Sequence, residues 1–316
     1  MATGIKRNDV YRIVTDQVMD LLRKGTVPWH KPWAEASPRN VLSGKPYRGM
    51  NVWLLCASAF HGGYKSPWWL TYRQAEELGE YVRKGEKSSL VVFWKWLLEK
   101  PRDTGPAEEP DSAPKHYAML RYYRVFNLEQ CDMPADKLPA RVREWGKNRP
   151  QVDPIAECEA VVTGMPNPPK VEYGHPGAAY HPAADTVTMP DRQMFDGAEE
   201  HYSTLFHELT HSTGHATRLD RASITDACRF GSTNYSKEEL VAEMGAAFLC
   251  ATLGIQNKTV DNSAAYIAHW LEKLANDARL VVNAGQAGQH AADYILNAHE
   301  PEEETADGAA LTGALD

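Results

Sequence analysis

The chain has 316 residues, 43% of them apolar, with 34 Lys and Arg against 42 Asp and Glu. That length holds two ordinary domains or one large one, and no run approaches the ~20 apolar residues that a membrane helix needs. Five scattered cysteines without a C-x-x-C exclude a disulfide framework and a four-cysteine metal site.

The N-terminal run MATGIKRNDVYRIVTD has no apolar h-region, so the expected compartment is the cytoplasm, with no membrane partner. The net charge of -8 divides unevenly. Residues 1–150 hold 25 Lys and Arg against 17 Asp and Glu, a balance of +8, and residues 151–316 hold 9 against 25, a balance of -16. Eight of the nine tryptophans lie in the positive half. Cations interleaved with flat rings are what unpaired nucleic acid needs, whereas the bland alternative is core tryptophans and solvated lysines.

In chain order, residues 9–24 have helical spacing, with Val10, Ile13, Val14, Val18, Leu21 and Leu22 on one face and Gly25 as a stop. VPWHKPW follows as a rigid aromatic loop, and GKPYRG as a basic turn. NVWLLCASAF is an apolar helix, and residues 71–78 form another, with Thr71 and Gln74 at capping-box spacing. SSLVVFWKW and YAMLRYYRVF read as paired strands by their β-branched and aromatic content. The Pro-, Gly- and charge-rich segment between them predicts a mobile loop over 99–115. Residues 131–155 suit a linker. ECEAVVTG and DTVTMP read as short strands. Helices are expected over 199–211, 236–253, 263–276 and, weakened by glycines, 286–296. The tail 300–316 is expected to be disordered. The expected fold class is α+β: an α+β domain over 1–130, then a mainly helical domain with a small sheet over 156–299.

His207-Glu208-Leu209-Thr210-His211 sits in the first of those later helices. H-E-x-x-H on a helix places two imidazoles one turn apart on one face, where both can bind one Zn²⁺, or another divalent ion such as Mn²⁺. Glu208 then stands beside the open coordination position as general base and acid, the pattern of a zinc metalloendopeptidase. The third ligand of a metzincin is absent, because Thr217 occupies its place and His215 comes two residues early. Glu239-Leu-Val-Ala-Glu243 has the gluzincin form instead, which makes Glu239 the ligand and Glu243 the acid that orients a ligand histidine. If Ser236 and Glu239 merely form a capping box, Glu243 becomes the ligand. His201 and His215 are read as structural or supporting. Tyr235 and His215 are candidates for polarising a scissile carbonyl.

VPWHKPW, GKPYRGMNVWLL, SPWWLTYRQA, VRKGEKSSLVVFWKW and YYRVFNLEQC together resemble the N-terminal domain of ArdC-type antirestriction proteins, a domain also found in TraC-type primases. AYHPAADTVTMP, YSTLFHELTHSTGHATRLDR and YSKEELVAEMGAAFLCATLGI resemble the zincin-like metallopeptidase domain that follows it. The resemblance implies a protein of conjugative plasmids whose N-terminal domain binds single-stranded DNA. It further implies protection of incoming DNA from host restriction and a DNA-associated protein substrate, with the restriction system as a candidate source. It places the catalytic motif on His207, Glu208 and His211. On that reading Lys45, Arg48, Arg73, Arg83, Lys84 and Lys87 carry DNA phosphates, and Trp29, Trp33, Tyr47, Trp68 and Trp69 stack bases, while Trp94 and Trp96 in the strands are core. The alternative is a single-strand-binding protein whose zincin domain is structural or inactive.

Overall fold

The computed structural model describes residues 7–29, 37–98, 116–144, 154–225, 233–255 and 264–298. The loop 99–115, Trp33 and the tail 300–316 lie outside them.

Helix α1, Arg7–Arg23, buries Val10, Val14, Val18 and Leu22, spaced four apart, so one stripe faces inward. β1, Arg39–Asn40, leads to helix α2, Met50–Gly62, then β2, Trp68–Leu70, and helix α3, Tyr72–Glu77. The capping box at the start of α3 forms as its spacing predicts, Thr71 accepting from the Gln74 backbone and Gln74 from that of Thr71. β3, Tyr81–Val82, precedes the long strands β4, Ser89–Leu98, and β5, His116–Asn127. The main sheet has the order β1-β2-β5-β4, with β4 and β5 antiparallel from Ser89 opposite Val125 to Leu98 opposite His116. The outer edge of β4 is blocked by a side chain: Asn51 donates to the Val92 carbonyl and accepts from the Val92 amide, both at 2.7 Å.

Residues 131–143 do not behave as the linker their composition predicts. β6, Cys131–Asp132, pairs with β3, and helix α4, Ala140–Arg143, buries Val142 in a cluster with Val41, Trp68, Leu70, Ala75 and Cys131. The N-terminal unit therefore extends past the expected boundary at 130.

The second half opens with helix α5, Pro154–Gly164, where ECEAVVTG reads as a strand. Proline at the first helical position, Glu157 in the first turn and Cys158 packed among core residues, with Ile155, Val161 and Val162 against it, override the local valine pair. β7, Lys170–Glu172, β8, Ala179–His181, and β9, Thr186–Thr188, form a small sheet of order β7-β9-β8. Helices α6, Ala198–Ser212, α7, Ala222–Thr225, α8, Thr233–Leu253, α9, Ala264–Asn276, and α10, Leu280–Ile295, complete the chain. α10 is longer than its glycines suggest because those glycines permit close packing. A Cβ on Gly285 would lie 2.7 Å from Met50 Sδ, and one on Gly288 would lie 3.0 Å from the Gly245 backbone nitrogen in α8.

The two halves share one apolar core. Trp53 lies against Phe248, tilted by 30° with centroids 4.6 Å apart, Trp29 meets Trp270 edge-on at 6.2 Å, and Thr15 donates to the Ala278 carbonyl at 2.7 Å. The fold is α+β, and no helix among the described residues is long and apolar enough to cross a membrane.

Candidate metal centre

α6 is set by its buried stripe of Tyr202, Leu205, Phe206 and Leu209, with Glu199 and Glu200 in the first turn favouring the positive end of the helix dipole. Three residues separate His207 from His211, so both imidazoles leave the same face, with their Nε2 atoms 3.2 Å apart. α8 packs across that face and brings in Glu239. One of its carboxylate oxygens lies 3.6 Å from His207 Nε2 and the other 3.7 Å from His211 Nε2. A tetrahedral ion with bonds of about 2.1 Å holds its ligand atoms about 3.4 Å apart, so these separations fit one divalent cation. Among the described residues, His207, His211 and Glu239 form the one group of metal-ligating side chains so arranged. α8 begins at Thr233, three residues before Ser236, so Ser236 and Glu239 lie inside the helix rather than at its cap.

α6 and α8 approach this closely because Gly245 has no side chain. A Cβ there would lie 2.5 Å from Thr210 Cγ2, inside the H-E-x-x-H segment. Gly245→Ala is therefore expected to cost about 1–3 kcal/mol of stability through overpacking. Because the wedge opens against the ligand helix, the variant should also weaken metal binding. Urea denaturation and metal titration of the variant check both.

His211 is held by a partner the spacing does not reveal. Its Nδ1 lies 3.4 Å from Glu238 Oε1, and Glu238 is 3% exposed. Arg221 donates to the same carboxylate through Nη2 at 2.5 Å and Nε at 3.2 Å, and Ser223 donates to its second oxygen. Burial pushes the Glu238 carboxyl up, but His211 and Arg221 outweigh it and hold the pKa at about 2. Burial likewise opposes a charge on His207, yet Glu239, Glu208 and Glu243 together hold its pKa above the ordinary value. The centre is thus a site of negative field that a cation satisfies. Glu208 is 8% exposed, one residue after His207 on α6.

Glu243 has a different role from the one its spacing implies. Rather than orienting a ligand histidine, it accepts from Trp29 Nε1 at 2.9 Å and from the Tyr266 hydroxyl. Burial raises its pKa to about 7. Trp29, from the N-terminal half, is therefore hydrogen-bonded one helical turn beyond Glu239. Sequence reasoning missed Glu238, Arg221 and Tyr266. The visible signal was the doubled acid in Lys237-Glu238-Glu239, whose two carboxylates face the two ring nitrogens of His211.

His201 is 2% exposed against Tyr173, whose hydroxyl lies 3.2 Å from its Nε2, and burial lowers its pKa to about 4. It is a neutral packing residue. His215 meets Thr217 at 2.9 Å. The side chain of Tyr235 lies outside the described residues.

The residues assigned to DNA fall into three groups. Trp29, Trp68 and Trp69 are 0%, 4% and 1% exposed, so they are core rather than stacking platforms, the reverse of what their neighbouring prolines and glycines suggest. Trp94 packs against the core as expected, partly buried and edge-on to Tyr11, and the side chain of Trp96 lies outside the described residues. Arg48 pairs with the buried Asp293, Arg73 with Glu77 at 3.2 Å, and Arg83 with Glu86 at 3.0 Å. Lys45, Lys84 and Lys87 are exposed, and Tyr47 is half-buried.

Two histidines one turn apart, a glutamate from a second helix and an acid beside the first histidine define a zincin-like metallopeptidase domain, and residues 159–287 match the family model of that description. Residues 8–126 match the N-terminal domain of anti-restriction factor ArdC. The crystal structure of the antirestriction ArdC protein from R388 plasmid in its metal-free form is 37% identical, with a TM-score of 0.71, over 92% of this chain and 97% of that one. The Mn(II)-bound form gives 38% and 0.69 over 92% and 98%. An uncharacterised protein, y4eC, of Sinorhizobium fredii is 34% identical over 91% of both chains. DNA primase TraC of Escherichia coli is 33% identical over 90% of this chain, which spans 20% of that primase. The chain belongs to the ArdC antirestriction family, and its zincin-like domain implies a divalent metal.

Proposed function

We propose that the protein is a zinc metallopeptidase tethered to single-stranded DNA that protects incoming conjugative DNA from restriction in the recipient's cytoplasm. The observation that carries this reading is the convergence of His207, His211 and Glu239 beside Glu208. His207, His211 and Glu239 would hold a divalent ion, which would supply the Lewis acidity for activating water and polarising a carbonyl. Glu208 takes the proton of the attacking water and delivers it to the leaving amine. Glu238 fixes the ring of His211, and Glu239 completes the ligand set. The positively charged N-terminal half concentrates the acidic catalytic half on proteins that share its strand, so the substrate is a DNA-associated protein, with members of the restriction system as candidates. Zn²⁺ suits the two-nitrogen, one-carboxylate set, and Mn²⁺ is the ion named for a solved relative.

Glu208→Ala tests the reading. The variant should keep its metal and its affinity for DNA while losing cleavage of DNA-bound proteins and protection of transferred plasmid DNA in a restricting recipient. Full protection by the variant would overturn the peptidase reading in favour of a binding protein whose zincin domain is structural.

A further inference from the structure

The β4–β5 ladder has two faces. Leu90, Val92 and Trp94, with Leu120 and Tyr122, turn toward α1 and the shared core. The other face carries Val91 and Phe93 opposite Tyr123 and Arg121. Near β2 this second face is closed by a small cluster of Leu55, Trp69, Val91 and Val125, flanked by Tyr47, Ala59 and Tyr64. Among the described residues the cover stops there. Beyond it the rings of Phe93 and Tyr123 lie 5.3 Å apart, inclined at 55°, and neither belongs to an apolar core among the described residues. Tyr123 is 39% exposed. Arg121 is exposed on the same face, with no carboxylate partner among the described residues.

We propose that this open face of the sheet is the platform for single-stranded DNA, with a base stacked on the Tyr123–Phe93 pair and the Arg121 guanidinium on a neighbouring phosphate. The inference rests on the single-stranded-DNA reading above and relocates its site, because Trp29, Trp68 and Trp69 are buried. An unpaired base offers a flat face to an exposed ring, and every base has one, so stacking of this kind tolerates any sequence. Arg121 lies two residues along β5 from Tyr123, about 7 Å, on the same side of the sheet. A protein partner would have to bury that guanidinium at a cost unless it supplied a carboxylate, whereas a phosphate backbone supplies an anion at every nucleotide. The exposed Lys84 and Lys87, in the turn that leads into β4, add charge at one end of the strand. Tyr47 is half-buried against the cluster that closes the neighbouring part of this face.

The test uses the full chain and a fluorescently labelled oligothymidylate in anisotropy titrations over a range of salt. Tyr123→Ala should weaken binding roughly 5- to 150-fold, and Tyr123→Phe, which keeps the ring, should restore most of it. Arg121→Gln, a surface change that leaves the core untouched, should lower the slope of log affinity against log salt by about 0.7. Tyr81→Ala, which removes an exposed ring on β3, in the separate two-stranded sheet with β6, should bind like wild type. If wild type binds and both Tyr123→Ala and Arg121→Gln match it in affinity and salt slope, the platform lies elsewhere. If wild type does not bind, the single-stranded-DNA reading falls and this site with it.

Discussion

Glu239→Ala is expected to strip the protein of its divalent ion. Two histidines from adjacent turns of α6 supply only two ligands, and the carboxylate that faces both Nε2 atoms comes from α8 alone. After dialysis against metal-free buffer, wild type should retain about one ion per chain by elemental analysis and the variant almost none. The loss should also show as stability. An ion present at a thousand times its dissociation constant adds about 4 kcal/mol to a folded state that alone binds it. Added Zn²⁺ should therefore raise the unfolding temperature of wild type and leave that of Glu239→Ala unmoved. Glu243→Gln separates the two acids of the E-x-x-A-E spacing. Its amide oxygen can still accept from Trp29 and Tyr266, so it should hold metal close to the wild-type level. Stoichiometric metal in Glu239→Ala together with loss in Glu243→Gln would reverse the ligand assignment.

The parts of this site that were legible in the sequence are those defined along a single helix. His207, Glu208 and His211 are fixed by periodicity, and Glu239 follows from the spacing within its own helix. What joins helices is not written locally. Glu238 supports His211 from 27 residues away, and Trp29 reaches Glu243 across 214. Composition marked the N-terminal half as aromatic and basic but could not say which side of the backbone each group takes. Trp29, Trp68 and Trp69 proved to be core, because a ring of that size gains more from burial than its flanking turns lose. Arg48, read as a phosphate contact, meets Asp293 at the far end of the chain. The platform residues Phe93 and Tyr123 stood in plain strand patterns, and only the register and the limited cover on one face of the sheet set them apart from core. α5 and α10 show the same limit for secondary structure: a valine pair and a run of glycines carry weak local preferences that packing overrides.

Glu238→Ala should be among the most damaging single changes in the chain, and for two separable reasons. Glu238 is a carboxylate partner of Arg221, whose side chain is only 12% exposed and also donates to Thr213 Oγ1 at 2.6 Å and the Thr210 carbonyl at 2.8 Å. Breaking a buried pair by removing one partner costs about 3–5 kcal/mol. Glu238 also fixes the His211 ring, and losing such a support weakens metal binding ~10–100-fold. Denaturation in the presence of a chelator measures the first effect without the metal, and competition with a chromophoric chelator measures the second. Adding Arg221→Met to Glu238→Ala should recover much of the stability, because no buried charge is then left unpaired. It should not recover metal affinity, because His211 Nδ1 still lacks its acceptor. If the double variant is as unstable in chelator as Glu238→Ala alone, the buried pair is not the source of the loss. If the single variant binds metal as tightly as wild type, the orientation of His211 does not depend on Glu238.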